Sequence, residues 1–166
     1  MHDELTESDI QKMKEEIEYR TLTMRPKLIE EVKRTREFGD LSENFEYKEA
    51  KKAKNRNDSR IRYLNSMIRT ARIVEDTSDS DSVGINDLVK CYMPDMDMTM
   101  DIRIVTTVRN DAANGFISKK SPLGEALFGR RKGECVTVSS PDGNYEVRID
   151  DIVKSDGSDI GNINEY

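Results

Sequence analysis

Two segments of about thirty residues each carry a narrow apolar seam at helical spacing, and almost nothing separates them. In the first, from Thr6 to about Arg36, apolar side chains return at Ile10, Met13, Ile17, Met24, Leu28 and Val32, in steps built from three and four with one slot filled by polar Arg20 or Thr21. In the second, from about Ser42 to Val74, Ala50, Ala53, Ile61, Leu64, Ile68 and Ala71 keep close to a heptad rhythm. Neither stripe is wide enough to be buried by a helix standing alone. With only Gly39, Asp40 and Leu41 between them, the two helices are expected to pair antiparallel as a coiled coil, an arm that at 1.5 Å per residue reaches roughly 45 Å. Thr6 followed by Asp9 resembles a capping box and marks the start, and Pro26, inside the first seam, predicts a kink or a broken ladder because it has no N–H to donate.

The remainder of the chain follows different rules. Residues 76–82 (DTSDSDS) are acidic and without period, which reads as a linker after an arm spanning 1–75. Strands are expected over 83–93, 101–108, 116–118, 134–139 and 145–152, the last two joined by the turn Pro141-Asp142-Gly143-Asn144. Pro122 to Leu127 reads as a short helix closed by Gly129 and Gly133, so 83–154 forms a small α+β domain. Residues 155–166 have little to bury and read as a mobile tail.

Composition limits the function classes. Charged residues make up 36% of the 166 and no apolar run is long enough for a membrane span or a signal peptide, so the chain is expected to remain in the cytoplasm without a membrane partner. Cys91 and Cys135 lie in apolar, strand-like surroundings and read as buried thiols. The net charge of −6 conceals an asymmetry: residues 1–75 hold 17 basic and 16 acidic side chains, whereas 76–166 hold 10 and 17. Nine of the basic residues fall between Lys48 and Arg72, against Glu49 and Asp58 alone. A basic stripe of this kind is commonly a solvated helix face, and on an arm that meets RNA it would neutralise phosphates. The acidic set Asp95, Asp97 and Asp101 lacks the glycine and terminal glutamate of a calcium loop, and His2 has no partner in view.

The inter-helix loop reads Gly39-Asp40-Leu41-Ser42-Glu43-Asn44, followed by Glu46 and Tyr47. Together with a second block, Ser121-Pro122-Leu123-Gly124-Glu125-Ala126-Leu127-Phe128-Gly129 and then Gly133, it resembles the Gre family of bacterial transcription elongation factors, in order and separation over nearly the whole chain. The chain departs from the family in Asn110 to Asn114, where a more acidic run is usual, in Glu134, and in the methionine-rich stretch from Met93 to Met100.

That resemblance implies a coiled-coil arm inserted through the secondary channel of bacterial RNA polymerase and an FKBP-like antiparallel-sheet domain docked outside. It implies no independent enzymatic activity, but stimulation of the polymerase's own hydrolysis of the 3′ end of backtracked RNA. Asp40 and Glu43 would be the catalytic carboxylates, holding a second Mg²⁺ jointly with the polymerase, since Mg²⁺ is often held by one or two protein carboxylates completed by substrate phosphates. Arg36, Asn44, Tyr47, Lys51 and Lys52 are candidates for contact with RNA or polymerase, as are Ser121, Pro122 and Gly124 in the second block. The same Asp40 and Glu43 could instead form a capping box that merely starts the second helix. A related protein that occupies the channel and inhibits is the other functional reading. The protein is expected to be a monomer.

Overall fold

The computed structural model describes residues 3–39, 43–158 and 160–165. The chain divides into two compact units, one built on Ile10–Ala71 and the other on Glu4–Asp9 with Arg72 onward.

In the first unit, helix α1 (Glu7–Tyr19) passes through a single π turn (Arg20–Met24) into α2 (Arg25–Arg36), and α3 (Phe45–Thr70) returns antiparallel to them. The π turn is the form that the expected kink takes. Pro26 stands in the first turn of α2 and cannot donate to the carbonyl four residues back. The ladder widens just before it, and the Arg25 N–H donates five residues back, to the Arg20 carbonyl.

Along α3 the buried residues are Ala50, Asn57, Arg60 and Leu64, the heptad spacing expected for the seam but with polar residues in the middle of it. Asn57 and Arg60 both bond to the helix opposite. The Asn57 side-chain amide donates to the Arg20 carbonyl at 3.1 Å, the same carbonyl that receives the π bond, and its oxygen accepts from Arg20 Nη1 at 3.2 Å. Arg60 grips Glu16 with two N–H groups, at 2.9 and 3.2 Å, while Arg20 Nε reaches the same carboxylate at 2.7 Å. Arg60, read from sequence as part of a surface stripe, is therefore inside the hairpin interface with 5% of its surface exposed.

The second unit is a mixed five-stranded sheet in the order β5-β4-β3-β7-β6, made of β3 (Leu88–Met93), β4 (Met98–Val105), β5 (Phe116–Ser118), β6 (Cys135–Ser140) and β7 (Gly143–Val153). Every pairing is antiparallel except β4 with β5, which adds a parallel edge to the antiparallel sheet expected. One face is apolar, with Val89, Cys91 and Met93 beside Ile102, Ile104, Val136, Val138, Val147 and Ile149, and Leu127 of helix α4 (Pro122–Leu127) closes it. Cys91 belongs to this core, and burial pushes its thiol up to about 12. Cys135 does not: it is exposed, because the period-two alternation of β6 turns Val136 and Val138 inward and leaves Cys135 and Thr137 outside. The first strand begins at Leu88 instead of Val83, since Asn86 takes a left-handed conformation and Asp87 folds back to accept the Gly84 N–H at 2.7 Å.

A two-stranded parallel pair, β1 (Glu4–Leu5) with β2 (Arg72–Ile73), completes this unit, where the sequence had suggested that the long helix ran on to Val74. The Thr6 and Asp9 capping box forms with reciprocal bonds of 3.0 and 3.1 Å, and Asp9 also takes an ion pair from Arg109 at 2.5 Å with both side chains almost wholly buried. Arg109 Nη1 then donates to the Gly161 carbonyl, Asn164 N–H donates to Val108, and Ile163 is buried. The C-terminal stretch read as a tail thus makes definite contacts with the unit.

The Glu16 cluster gives a pH-dependent prediction. Burial raises the Glu16 carboxyl, but the hydrogen bonds and charges of Arg60 and Arg20 outweigh it and hold its pKa below the usual value. A group depressed in the folded state contributes stability above its unfolded pKa and loses that contribution as pH falls through the folded one. Glu16→Gln is expected to cost about 1–2 kcal/mol at pH 7, discounted for partial exposure, and to cost less at pH 3. Urea titrations of both proteins at the two pH values, followed by circular dichroism, measure the difference; an equal cost at both would contradict the assignment.

Candidate functional site at the hairpin tip

Helices α2 and α3 leave a connection from Glu37 to Asn44, of which Asp40, Leu41 and Ser42 lie outside the described residues. The helix begins at Phe45 and its N-cap is Asn44, whose side-chain oxygen accepts the Tyr47 N–H at 3.2 Å. Glu43 precedes the N-cap and is not the third residue of this helix, and the Asp40 half of the capping-box alternative lies outside the described residues. Asn is as good an N-cap as Asp, and here the amide supplies something that a carboxylate could not.

The other end of the Asn44 side chain is a donor, and it reaches back to the end of α2. Its Nδ2 donates to the Gly39 carbonyl at 2.6 Å and to the Thr35 carbonyl at 3.1 Å. Thr35 is buried and its hydroxyl donates to the Glu31 carbonyl at 2.8 Å. One amide therefore ties the last turn of α2, the loop and the first turn of α3 together. Glu43 sits one residue before this clamp on an exposed turn, and its carbonyl accepts the Phe45 N–H at 2.9 Å.

The other residues singled out near the tip divide by what they touch. Tyr47 is half-buried, gives its N–H to Asn44, and has Lys51 Nζ over its ring at 5.7 Å. Lys52 is exposed and pairs with Glu49 at 3.2 Å, and Arg36 is exposed at the end of α2. Two further rings carry no seam position and belong to neither motif: Phe38 and Phe45 have 61% and 72% of their surface exposed. Arg34 lies 5.6 Å from the Phe38 ring centre and Lys48 lies 5.6 Å from that of Phe45. Large apolar side chains out of phase with the helix seam were the signal available.

In the second unit, Ser121, Pro122 and Gly124 build α4. The Ser121 hydroxyl donates to the Ser118 carbonyl at 2.8 Å and accepts the Gly124 N–H at 3.0 Å, and Pro122 occupies the first helical position. Gly124 is fixed by space, since a Cβ there would meet the Ser118 carbonyl oxygen at 2.0 Å. The structure accounts for these three residues through the turn that they form. Among the described residues no group of three or more His, Cys, Asp or Glu side chains gathers as a metal site, and no helix is long and apolar enough to cross a membrane.

Comparison with known proteins is consistent along the chain. The family described as transcription elongation factor, N-terminal, matches residues 4–73, and that described as transcription elongation factor, GreA/GreB, C-term, matches residues 78–154. The transcription elongation factor GreA of Mesoplasma florum is 34% identical over 89% of this chain and 96% of its own length. That of Bacillus subtilis is 38% identical over 87% of this chain and 92% of its own. A crystal structure of GreA factor homolog 1 of Thermus thermophilus covers 93% of this chain and 100% of its own at 22% identity, with a TM-score of 0.42.

The Asn44 clamp predicts a graded loss. Asn44→Asp keeps the acceptor for Tyr47 N–H and removes the two donors, whereas Asn44→Ala removes all three bonds. The first is expected to cost about 1 kcal/mol and the second about 2 kcal/mol. Amide hydrogen exchange at Tyr47 checks the distinction: it should be accelerated strongly in the Ala variant and little in the Asp variant.

Proposed function

Because the chain belongs to the GreA/GreB family of transcription elongation factors, we propose that it acts on bacterial RNA polymerase from within the secondary channel, where its hairpin tip stimulates cleavage of the 3′ end of backtracked RNA. The observation that carries this reading is the division of labour at the tip. Asn44 performs the capping and bracing, so helix initiation does not account for Glu43, which stands on an exposed turn immediately before the brace.

Asp40 and Glu43 are the residues that would hold Mg²⁺. Their oxygens are the hard donors that this ion takes, but two carboxylates are too few to complete its shell, which fits an ion shared with polymerase carboxylates and RNA phosphates. When bound, that ion would supply charge stabilisation and an activated water for phosphodiester hydrolysis. The protein itself would bring the two carboxylates and the rigidity with which they are presented, with the polymerase providing the remainder of the active site. Arg36, Lys51 and Lys52 are exposed behind the tip, where they would meet RNA phosphates, and the second unit would dock on the outside of the polymerase and raise the tip's effective concentration.

Two experiments test this. Asp40→Asn and Glu43→Gln should each reduce stimulated cleavage in stalled elongation complexes by at least about 100-fold, since a neutral amide is a poor Mg²⁺ ligand, with the melting temperature little changed. Both variants should still compete with the parent protein for polymerase; retention of most of the stimulation by either would exclude that carboxylate as a ligand. Replacing Lys51 and Lys52 together with Ala should weaken stimulation and flatten its dependence on salt, and an unchanged salt slope would return them to the solvated face.

A further inference from the structure

Phe38 and Phe45 flank the loop that carries the two carboxylates, one at the end of α2 and one at the start of α3, and they are among the most exposed large apolar side chains of the protein. The Asn44 clamp, with bonds to Thr35 and Gly39, brings their backbones to the same end of the hairpin. Each ring has a cation near one face, Arg34 for Phe38 and Lys48 for Phe45, and Tyr47 with Lys51 continues the pattern one step along α3. Arg34 is itself oriented by a two-bond pairing with Glu31 at 2.6 and 3.0 Å, which aligns the guanidinium beside the ring.

Rings interleaved with cations are the composition of a surface for single-stranded nucleic acid, in which bases stack on aromatic faces and the backbone follows the positive charges. The charge order here adds a constraint. The sequence of the loop and its borders is acidic, with Glu37, Asp40, Glu43 and Glu46, so a phosphate gains nothing by lying against it unless a metal intervenes. A base has no such penalty. We propose that Phe38 and Phe45 form a stacking platform for the unpaired bases at the 3′ end of backtracked RNA, while Lys48 and Lys51 take the phosphates one turn further from the tip. This rests on the reading of the tip given above and goes beyond it: part of the affinity for a backtracked complex is carried by contacts to bases that do not depend on their identity, because every base offers a π face.

The test compares binding with cleavage. Equilibrium binding of labelled protein is measured to reconstituted bacterial elongation complexes that are either backtracked by two nucleotides or not backtracked, with the extruded nucleotides normal or abasic. Phe38→Ala with Phe45→Ala is expected to weaken binding to the normal backtracked complex by about 10-fold and to leave binding to the non-backtracked complex unchanged. Abasic nucleotides should impose the same loss on the parent protein and no further loss on the variant. Phe→Leu at both positions keeps the apolar contact without the aromatic face and should behave as Ala does, whereas Phe→Trp should retain binding. Equal losses on both complexes, or full retention by Leu, would show that the rings meet polymerase protein and would overturn the proposal; so would losses from variant and abasic RNA that multiply. Failure of the parent protein to accelerate cleavage would sink the assignment of Asp40 and Glu43 while leaving this binding comparison to be decided on its own.

Discussion

The tip depends on a single side-chain amide. Asn44 bonds to both helices: it closes the first turn of α3 through Tyr47 and takes up the carbonyls of Gly39 and Thr35 at the end of α2. Helix ends leave backbone groups without intrahelical partners, and a hairpin brings two such ends together. One amide, with an acceptor on one side and donors on the other, serves both at once. Glu43 and the two exposed rings, Phe38 and Phe45, are neighbours in sequence of the residues that this clamp joins.

Away from the tip, the same hairpin is specified by polarity more than by hydrophobicity. A seam filled only with alanine and leucine would bury its stripe in several registers with little difference in energy. Asn57 and Arg60 remove that freedom, because each must meet its partner, the Arg20 carbonyl or the Glu16 carboxylate, at hydrogen-bond distance. A slip by one heptad would leave both buried and unpaired. The second unit has its own counterpart in Asp9 and Arg109, which fasten the first turn of α1 and the C-terminal stretch to the sheet through one ion pair and its surrounding bonds.

Much of this was legible in the sequence wherever a pattern had a single physical solution. The two seams, the Thr6 and Asp9 capping box, the helix Pro122–Leu127 and the hairpin joining the last two strands were readable because periodicity, caps and turn residues agreed. Cap assignment at the tip was not, because Asp40, Ser42 and Asn44 are all good N-caps and only the partners at Thr35 and Gly39 select among them. Arg60 looked like a surface cation because its partner lies 44 residues away, and Cys135 looked buried because the phase of a short strand is set by the neighbouring strand and not by composition. The strand Phe116–Ser118 was read at its observed bounds, but three residues carry no sign of which neighbour they pair with, and the parallel edge was not legible.

The π turn before Pro26 also has a bearing on how such a hairpin can change length. In an α-helix each residue advances the azimuth by about 100°, so a single insertion ordinarily rotates everything beyond it out of phase. A π turn holds one residue more than an α turn and can take up such an insertion locally, with the α-helices on either side of it, Glu7–Tyr19 and Arg25–Arg36, continuing as regular helix. Arg20–Met24 is thus the place in this arm where a change of one residue in length disturbs the seam least. A single deletion here would close the wide turn into an ordinary α turn and leave the seam on both sides in register, whereas the same deletion within Arg25–Arg36 would rotate the residues beyond it by about 100°.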